Sequence, residues 1–253
     1  MFIERIYARD FGPIKSLDWT KDPDRPHTFV RGLLGKTTLL NMIAKMCGKL
    51  YDFPPPCEKT PSYDFGVLLG DLPGPLSKMW IWSGPNPAPQ GEEILNLGAE
   101  TQSPAVQEAL AYWKGQHAEE GGKSHPRARF LVPEIRWDLP NLGDRTSSFE
   151  RYLLNCYGLI FVNGQLENGD DVQIIPSSSL LQCFGLLHAV SRTNLGDVIL
   201  LEAPFDSQHL SNTGSVVRMV QREVEARGGS LVCTTNGNME AWKAMQYWNL
   251  IQM

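Results

Sequence analysis

The 253-residue chain contains no run of about 18 apolar residues, the length a helix needs to cross a bilayer. Its opening, Met1-Phe2-Ile3-Glu4-Arg5, has no apolar leader core, so a cytoplasmic protein is expected, with no membrane span and no secretion signal. Cysteine is sparse: Cys47, Cys57, Cys156, Cys183 and Cys233 are odd in number, scattered and mostly in apolar segments. With no C-x-x-C pair they read as buried free thiols, which excludes a disulfide framework and a cysteine-based zinc site. Positive charge is not in surplus. Lys plus Arg number 23 against 28 Asp plus Glu, a net charge of −5, which argues against a dominant nucleic-acid surface. The modest basic cluster Lys123-Ser124-His125-Pro126-Arg127-Ala128-Arg129 reads as a solvated loop. Internal repeats are absent, and so is the heptad run of a coiled-coil arm. No G-x-S-x-G elbow occurs, so Asp206, Ser207 and His209, crowded into one turn, do not make a hydrolytic triad. His188, on an apolar helix, reads as a satisfied core histidine. Trp80 and Trp82 alternate in a strand and face one side as core packing. Glu92-Glu93 and Glu119-Glu120 read as solvated faces.

What is present starts with Val30-Arg31-Gly32-Leu33-Leu34-Gly35-Lys36-Thr37-Thr38, a phosphate-binding loop with two residues missing. The intact pattern is G-x-x-x-x-G-K-[ST] between a buried strand and a helix; here two residues separate the glycines instead of four. The context is in order. His27-Thr28-Phe29-Val30 is a short β-favouring run, and 36–49 carries Leu39, Leu40, Ile43 and Met46 at helical spacing. In an intact loop, backbone amides and the helix N-terminus wrap the β-phosphate, the lysine reaches the β- and γ-phosphates, and the Ser/Thr hydroxyl holds Mg²⁺. Lys36 and Thr37 match the two side-chain roles, and Gly32, Gly35 and Thr38 complete the candidate nucleotide contacts. If the shortening removes about two charge-assisted amide bonds, the loss is roughly 3–6 kcal/mol, two to four decades in affinity.

The ends of the chain are regular and the middle is not. Phe2 to Ile14 alternates like a strand and turns at Gly12-Pro13, and Ile14 to Trp19 pairs back on it as a hairpin. From Asp52 to about Asp144 the text is rich in Pro and Gly, with strand-like 65–69, 79–82 and 128–132 and a helical 103–115. After it come a helix over 180–192, buried strands at 197–201 and 230–235, a helix over 214–227 between them, and a last short strand at 249–252. Apolar strands alternating with helices imply a parallel sheet covered on both faces, with ligands at the strand C-terminal ends. The expected fold is therefore α/β: a P-loop NTPase core with a mostly parallel sheet, an antiparallel N-terminal β portion and an inserted irregular lobe. The core comprises residues 1–50 and 170–253, the lobe 51–169. One of those C-terminal ends, Val198-Ile199-Leu200-Leu201-Glu202-Ala203-Pro204, has the form of a Walker B strand whose first acid is Glu202 and whose second is replaced by Ala203. A carboxylate there suits Mg²⁺, directly or through water, while alanine cannot position an attacking water.

With these segments the chain resembles the ATP-binding-cassette ATPases of the chromosome-maintenance and RecF-like branch, often described as AAA-type ATP-binding proteins. The likeness covers about 1–50 and 170–253, in IYARDFGPIKSLDW, FVRGLLGKTTLLNMIA, DVILLEAPFD and GGSLVCTTNG. It implies ATP and Mg²⁺ as cofactors, with Thr37 and Glu202 at the metal. It also implies a signature run that contacts the opposing subunit's nucleotide, where Pro176-Ser177-Ser178-Ser179-Leu180-Leu181-Gln182 stands, with Ser178 and Ser179 as the contacts and the Gly-Glu missing. The family's switch histidine corresponds to Asn236, so Glu202 and Asn236 occupy the catalytic positions, and His209 lies where the family places a subunit-contacting loop. Departures at all four chemical positions imply a degenerate head, binding nucleotide weakly or not at all, acting as an assembly or regulatory subunit. Its partner is a second copy or an intact ATPase head, in a complex with a link to DNA or phage defence. The alternative is an active ATPase working at a head-to-tail dimer interface.

Overall fold

In the computed structural model the residues described are 1–48, 50, 61–119, 128–131, 158–162, 165–168, 177–191, 193–206, 208 and 210–253. β1 (Phe2–Phe11) and β2 (Ile14–Thr20) form the expected hairpin, paired from Arg5–Thr20 to Phe11–Ile14. Asp10 and Gly12, at φ 54° and 55°, make its turn. β4 (Asp64–Gly70) pairs antiparallel with β1 through a bulge between Ile3 and Arg5, β5 (Lys78–Ser83) pairs antiparallel with β4, and β6 (Ile94–Asn96) adds in parallel. The order of this sheet is β2-β1-β4-β5-β6.

A second sheet has the order β12-β3-β11-β10-β7, with every neighbour parallel. Its strands are β3 (Thr28–Arg31), β7 (Ala128–Leu131), β10 (Val198–Leu201), β11 (Ser230–Thr234) and β12 (Asn249–Gln252). A separate hairpin joins β8 (Leu159–Val162) to β9 (Gln165–Asn168). Strands from 51–169 thus hydrogen-bond into both main sheets: β4 onto β1, and β7 onto β10.

The helices are α1 (Lys36–Gly48), α2 (Pro104–Glu119), α3 (Ser178–Ser191), α4 (Leu210–Glu225) and α5 (Met239–Ala244). Side-chain alternation divides the interior in two. Val198 and Leu200 of β10 join Leu39, Leu40, Ile43 and Met46 of α1 and the inner face of the antiparallel sheet; Ile199 and Leu201 join α3, α4 and α5. The parallel sheet is covered on both faces, as its all-apolar strands require. α4 starts at Leu210, four residues ahead of the expected Gly214, because 210–213 continue helically into the buried stripe Val216, Val217, Val220 and Val224. Trp80 and Trp82 are buried, edge to face at 6.3 Å, on the face turned away from α1. Cys47, Cys183 and Cys233 are buried free thiols, and burial pushes Cys47 up to about 12 and Cys233 higher still. Cys57, Cys156, Ser207, His209, Glu120 and residues 123–127 lie outside the described residues, as do the side chains of Glu119 and His188.

The N-terminal ends of β3, β11 and β12 are tied by one imidazole. His27, fully buried, lies 3.0 Å from Glu225 Oε1 through Nε2 and accepts from the Leu231 amide at 3.1 Å through Nδ1, with Trp248 4.9 Å from its ring. The Leu231 donor fixes Nδ1 as the acceptor, so Nε2 carries the proton and donates to Glu225. Burial holds the imidazole below its ordinary value of 6.5, against the opposing pull of Glu225. The neutral form is favoured by folding, so this stability is fully present above pH 6.5 and is lost as pH falls through the folded-state value. Urea melts at pH 7.5 and 5.5 are expected to show lower stability at 5.5. In His27→Gln, whose amide reproduces both bonds without titrating, the difference should shrink; an unchanged difference refutes the assignment.

Candidate functional site

β3 delivers the chain to Gly32 at the C-terminal edge of the parallel sheet, and Gly35 returns it into α1. Gly35 has φ 86°, in the left-handed region, and a Cβ there would stand 2.8 Å from Met253 Cε, 3.1 Å from Pro13 Cγ and 3.2 Å from Ile14 Cγ1. Only glycine fits that position without strain. The Gly35 carbonyl accepts from the Leu39 amide at 2.8 Å. The amides of Lys36, Thr37 and Thr38 therefore begin the helix without acceptors inside it, the ordinary condition for anion binding at a helix start.

Lys36 Nζ donates to the Gly32 carbonyl at 2.6 Å, so the ammonium bridges the shortened loop. The two residues between the glycines, Leu33 and Leu34, are 95% and 74% exposed. Thr37 Oγ1 donates to Glu202 Oε1, joining the start of α1 to the end of β10 across 165 residues. Hydroxyl and carboxylate are both hard oxygen donors aimed at one place, which suits Mg²⁺ completed by phosphate and water. Among the described residues no group of three His, Cys, Asp or Glu is placed to hold a metal by itself. Thr38 turns away, its methyl 3.9 Å from where a Cβ on Gly12 would stand.

Ala203 follows Glu202 in the left-handed region, at φ 45°, and its amide donates to Thr234 Oγ1 at 2.8 Å. Asp206 holds the exit of β11. Its Oδ1 accepts from the Thr235 hydroxyl at 2.9 Å and its Oδ2 from the Asn236 amide at 2.6 Å. Asn236 is thereby fixed through its backbone, leaving its side chain at the surface. Asn238 caps α5, accepting from the amides of Glu240 and Ala241 at 3.1 Å, and donates to the Phe205 carbonyl at 2.9 Å. Sequence reasoning passed over Asn238 and weighed Asp206 only as a member of a triad that the chain does not make. An Asn at 238 just ahead of helix-favouring 239–244 was a readable capping signal, whereas nothing local marks Asp206.

The expected Ser178 and Ser179 lie in the first turn of α3, capped by Ser177, whose hydroxyl accepts from the Leu180 amide at 3.3 Å. Ser179 Oγ is 3.2 Å from Ser177 Oγ, and Ser178 is exposed. No hydrogen bond links this turn to Lys36, Thr37 or Glu202 among the described residues. The fold thus brings together Gly32, Gly35, Lys36, Thr37 and Glu202, places Asn236 on the neighbouring loop, and leaves Ser178 and Ser179 in a group of their own.

No family model matches the chain, and no curated protein matches it either. Its fold is similar to that of an SMC head solved in complex with the C-winged helix domain of ScpA. The match has 10% identity and a TM-score of 0.56, covering 100% of this chain and 94% of that one. An SMC head domain from Thermotoga maritima aligns at 12% identity and TM-score 0.47, covering 96% of this chain and 92% of that one. At these identities the likeness is one of fold alone: a mixed α/β architecture with a parallel and an antiparallel sheet.

Proposed function

We propose that the chain is a degenerate ATP-binding-cassette-type head that holds Mg²⁺–ATP weakly and serves as an assembly or regulatory subunit. The carrying observation is the contrast at the end of β10. Glu202 meets the Thr37 hydroxyl beside the Lys36 ammonium, while the next residue, where a second acid would polarise water, is Ala203. Lys36, Thr37, Gly32, Gly35 and the first amides of α1 would take the phosphates, and Thr37 and Glu202 the metal. The metal, when bound, would screen phosphate charge; among the described residues no side chain hydrogen-bonded at the end of β10 replaces the missing base. Asn236 can hydrogen-bond but cannot exchange a proton near neutral pH.

In the similar structure, an SMC head is seen with a winged-helix domain of another protein. That supports a head that works by association, with a second copy or an intact head supplying what this chain lacks; Ser178 and Ser179 would face that partner. The division into a core of 1–50 and 170–253 and a lobe of 51–169 belongs to this proposal, with cytoplasmic residence. The test pairs calorimetry with a phosphate-release assay on Mg²⁺–ATP. Binding near the millimolar range without release is expected. Steady release abolished by Lys36→Ala would establish the active-ATPase alternative instead, and no heat at millimolar ATP would remove the nucleotide role.

A further inference from the structure

A groove of about 430 Å³ opens at the C-terminal ends of β3, β11 and β12, beside the shortened loop, and the phosphate site leaves it unused. Arg31, Leu33, Asn236, Met239, Trp242 and Met253 line it. The Arg31 guanidinium lies 4.6 Å from the centre of the Trp242 ring, and among the described residues no carboxylate pairs with it. Leu33 is 95% exposed and Met239 50% exposed. The Asn236 backbone is held by Asp206, yet its side-chain amide has no hydrogen-bond partner among the described residues.

The groove therefore offers a cation stacked on an indole, bare apolar surface, and an amide with donor and acceptor both unused. A flat heteroaromatic ring with a hydrogen-bonding edge is the ligand these three groups complement together: the face stacks on guanidinium or aromatic planes, and the edge meets the amide. The position of the groove specifies more. Its wall includes Gly32, whose carbonyl carries the Lys36 ammonium at 2.6 Å. A molecule with phosphates at Lys36 and the start of α1 would have the mouth of this groove within reach, since Gly32 borders both.

We propose that the groove receives the base of a nucleotide, stacked at the Arg31–Trp242 pair with its edge on the Asn236 amide. The phosphate half of this statement rests on the nucleotide-binding reading above; the groove half does not. Three probes separate the halves by calorimetry: ATP, tripolyphosphate and adenosine. ATP is expected to bind about ten-fold tighter than tripolyphosphate, a difference of about 1.4 kcal/mol, and adenosine is expected to bind weakly on its own. Arg31→Ala, at an exposed side chain, should remove the ATP advantage and the adenosine heat while tripolyphosphate affinity and the melting temperature stay unchanged; Asn236→Ala should remove the adenosine heat.

Equal affinity for ATP and tripolyphosphate in the wild type overturns the groove and leaves the phosphate site standing. So does an Arg31→Ala variant that weakens tripolyphosphate as much as ATP, since Arg31 would then hold phosphate. Adenosine binding that depends on Arg31 while tripolyphosphate gives no heat supports the groove and removes the phosphate site. Silence from all three probes overturns both.

Discussion

Lys36→Ala is expected to weaken ATP and tripolyphosphate binding by roughly 10- to 150-fold, the equivalent of losing one charge-assisted bond of about 1.5–3 kcal/mol. The reason lies in the length of the loop. With two fewer residues between the glycines, fewer amides face a phosphate, and the ammonium held on the Gly32 carbonyl supplies a larger share of the positive field. Lys36→Arg keeps the charge but is wider and planar, so it should recover only part of the affinity. Calorimetry with the three proteins measures this, and thermal melting checks that the variants are folded. Equal affinity in wild type and Lys36→Ala would mean that phosphate does not sit at this helix start.

Gly66→Ala is expected to lower stability by about 2–3 kcal/mol, in the range of an overpacked core, and the melting temperature by roughly 5–10 °C. A Cβ at Gly66 would stand 2.5 Å from Trp82 Cε3 and 3.2 Å from Trp80 Cε3. The Trp82 ring has nowhere to go. Its indole N–H donates to the Asn86 carbonyl at 3.0 Å, Tyr7 packs against it at 5.5 Å between centroids, and Trp80 meets it edge on. Backbone adjustment is equally restricted, because Gly66 is registered with Tyr7 on one side and Trp82 on the other. Differential scanning calorimetry reads the effect; a shift under about 2 °C would show that the rings repack freely.

Local pattern made the core of the site legible. β3, the glycine turn and α1 follow one another within 21 residues, and their apolar spacing, turn glycines and helix start all lie inside one window. β10 and β11 were legible because a strand buried on both faces is apolar throughout. What stayed hidden depends on juxtaposition between distant segments. Asp206 meets Thr235 and Asn236, some 30 residues on, only because β10 and β11 run side by side. Arg31 meets Trp242 only because β3 and the α5 segment converge at one sheet edge. β6 and α5, at three and six residues, are too short to show a period. β7 lies within the Pro- and Gly-rich stretch and pairs beside β10, beyond it, and no local signal names that neighbouring strand.

The His27 tie has a mechanical consequence. One imidazole joins the segment before β3 to the start of β11 and the end of α4, and Asn249 at the start of β12 donates its amide to the His27 carbonyl at 2.9 Å. The strands are therefore bound at one margin like the pages of a book. At the opposite margin the start of α1 is held by a half-buried contact, Lys36 to Gly32, and an exposed one, Thr37 to Glu202. Local opening concentrates where buried contacts are few, so the loop from Gly32 to Lys36, with Leu33 and Leu34 exposed, is expected to open ahead of the strands it joins, and a molecule that bridges that edge would act as the clasp.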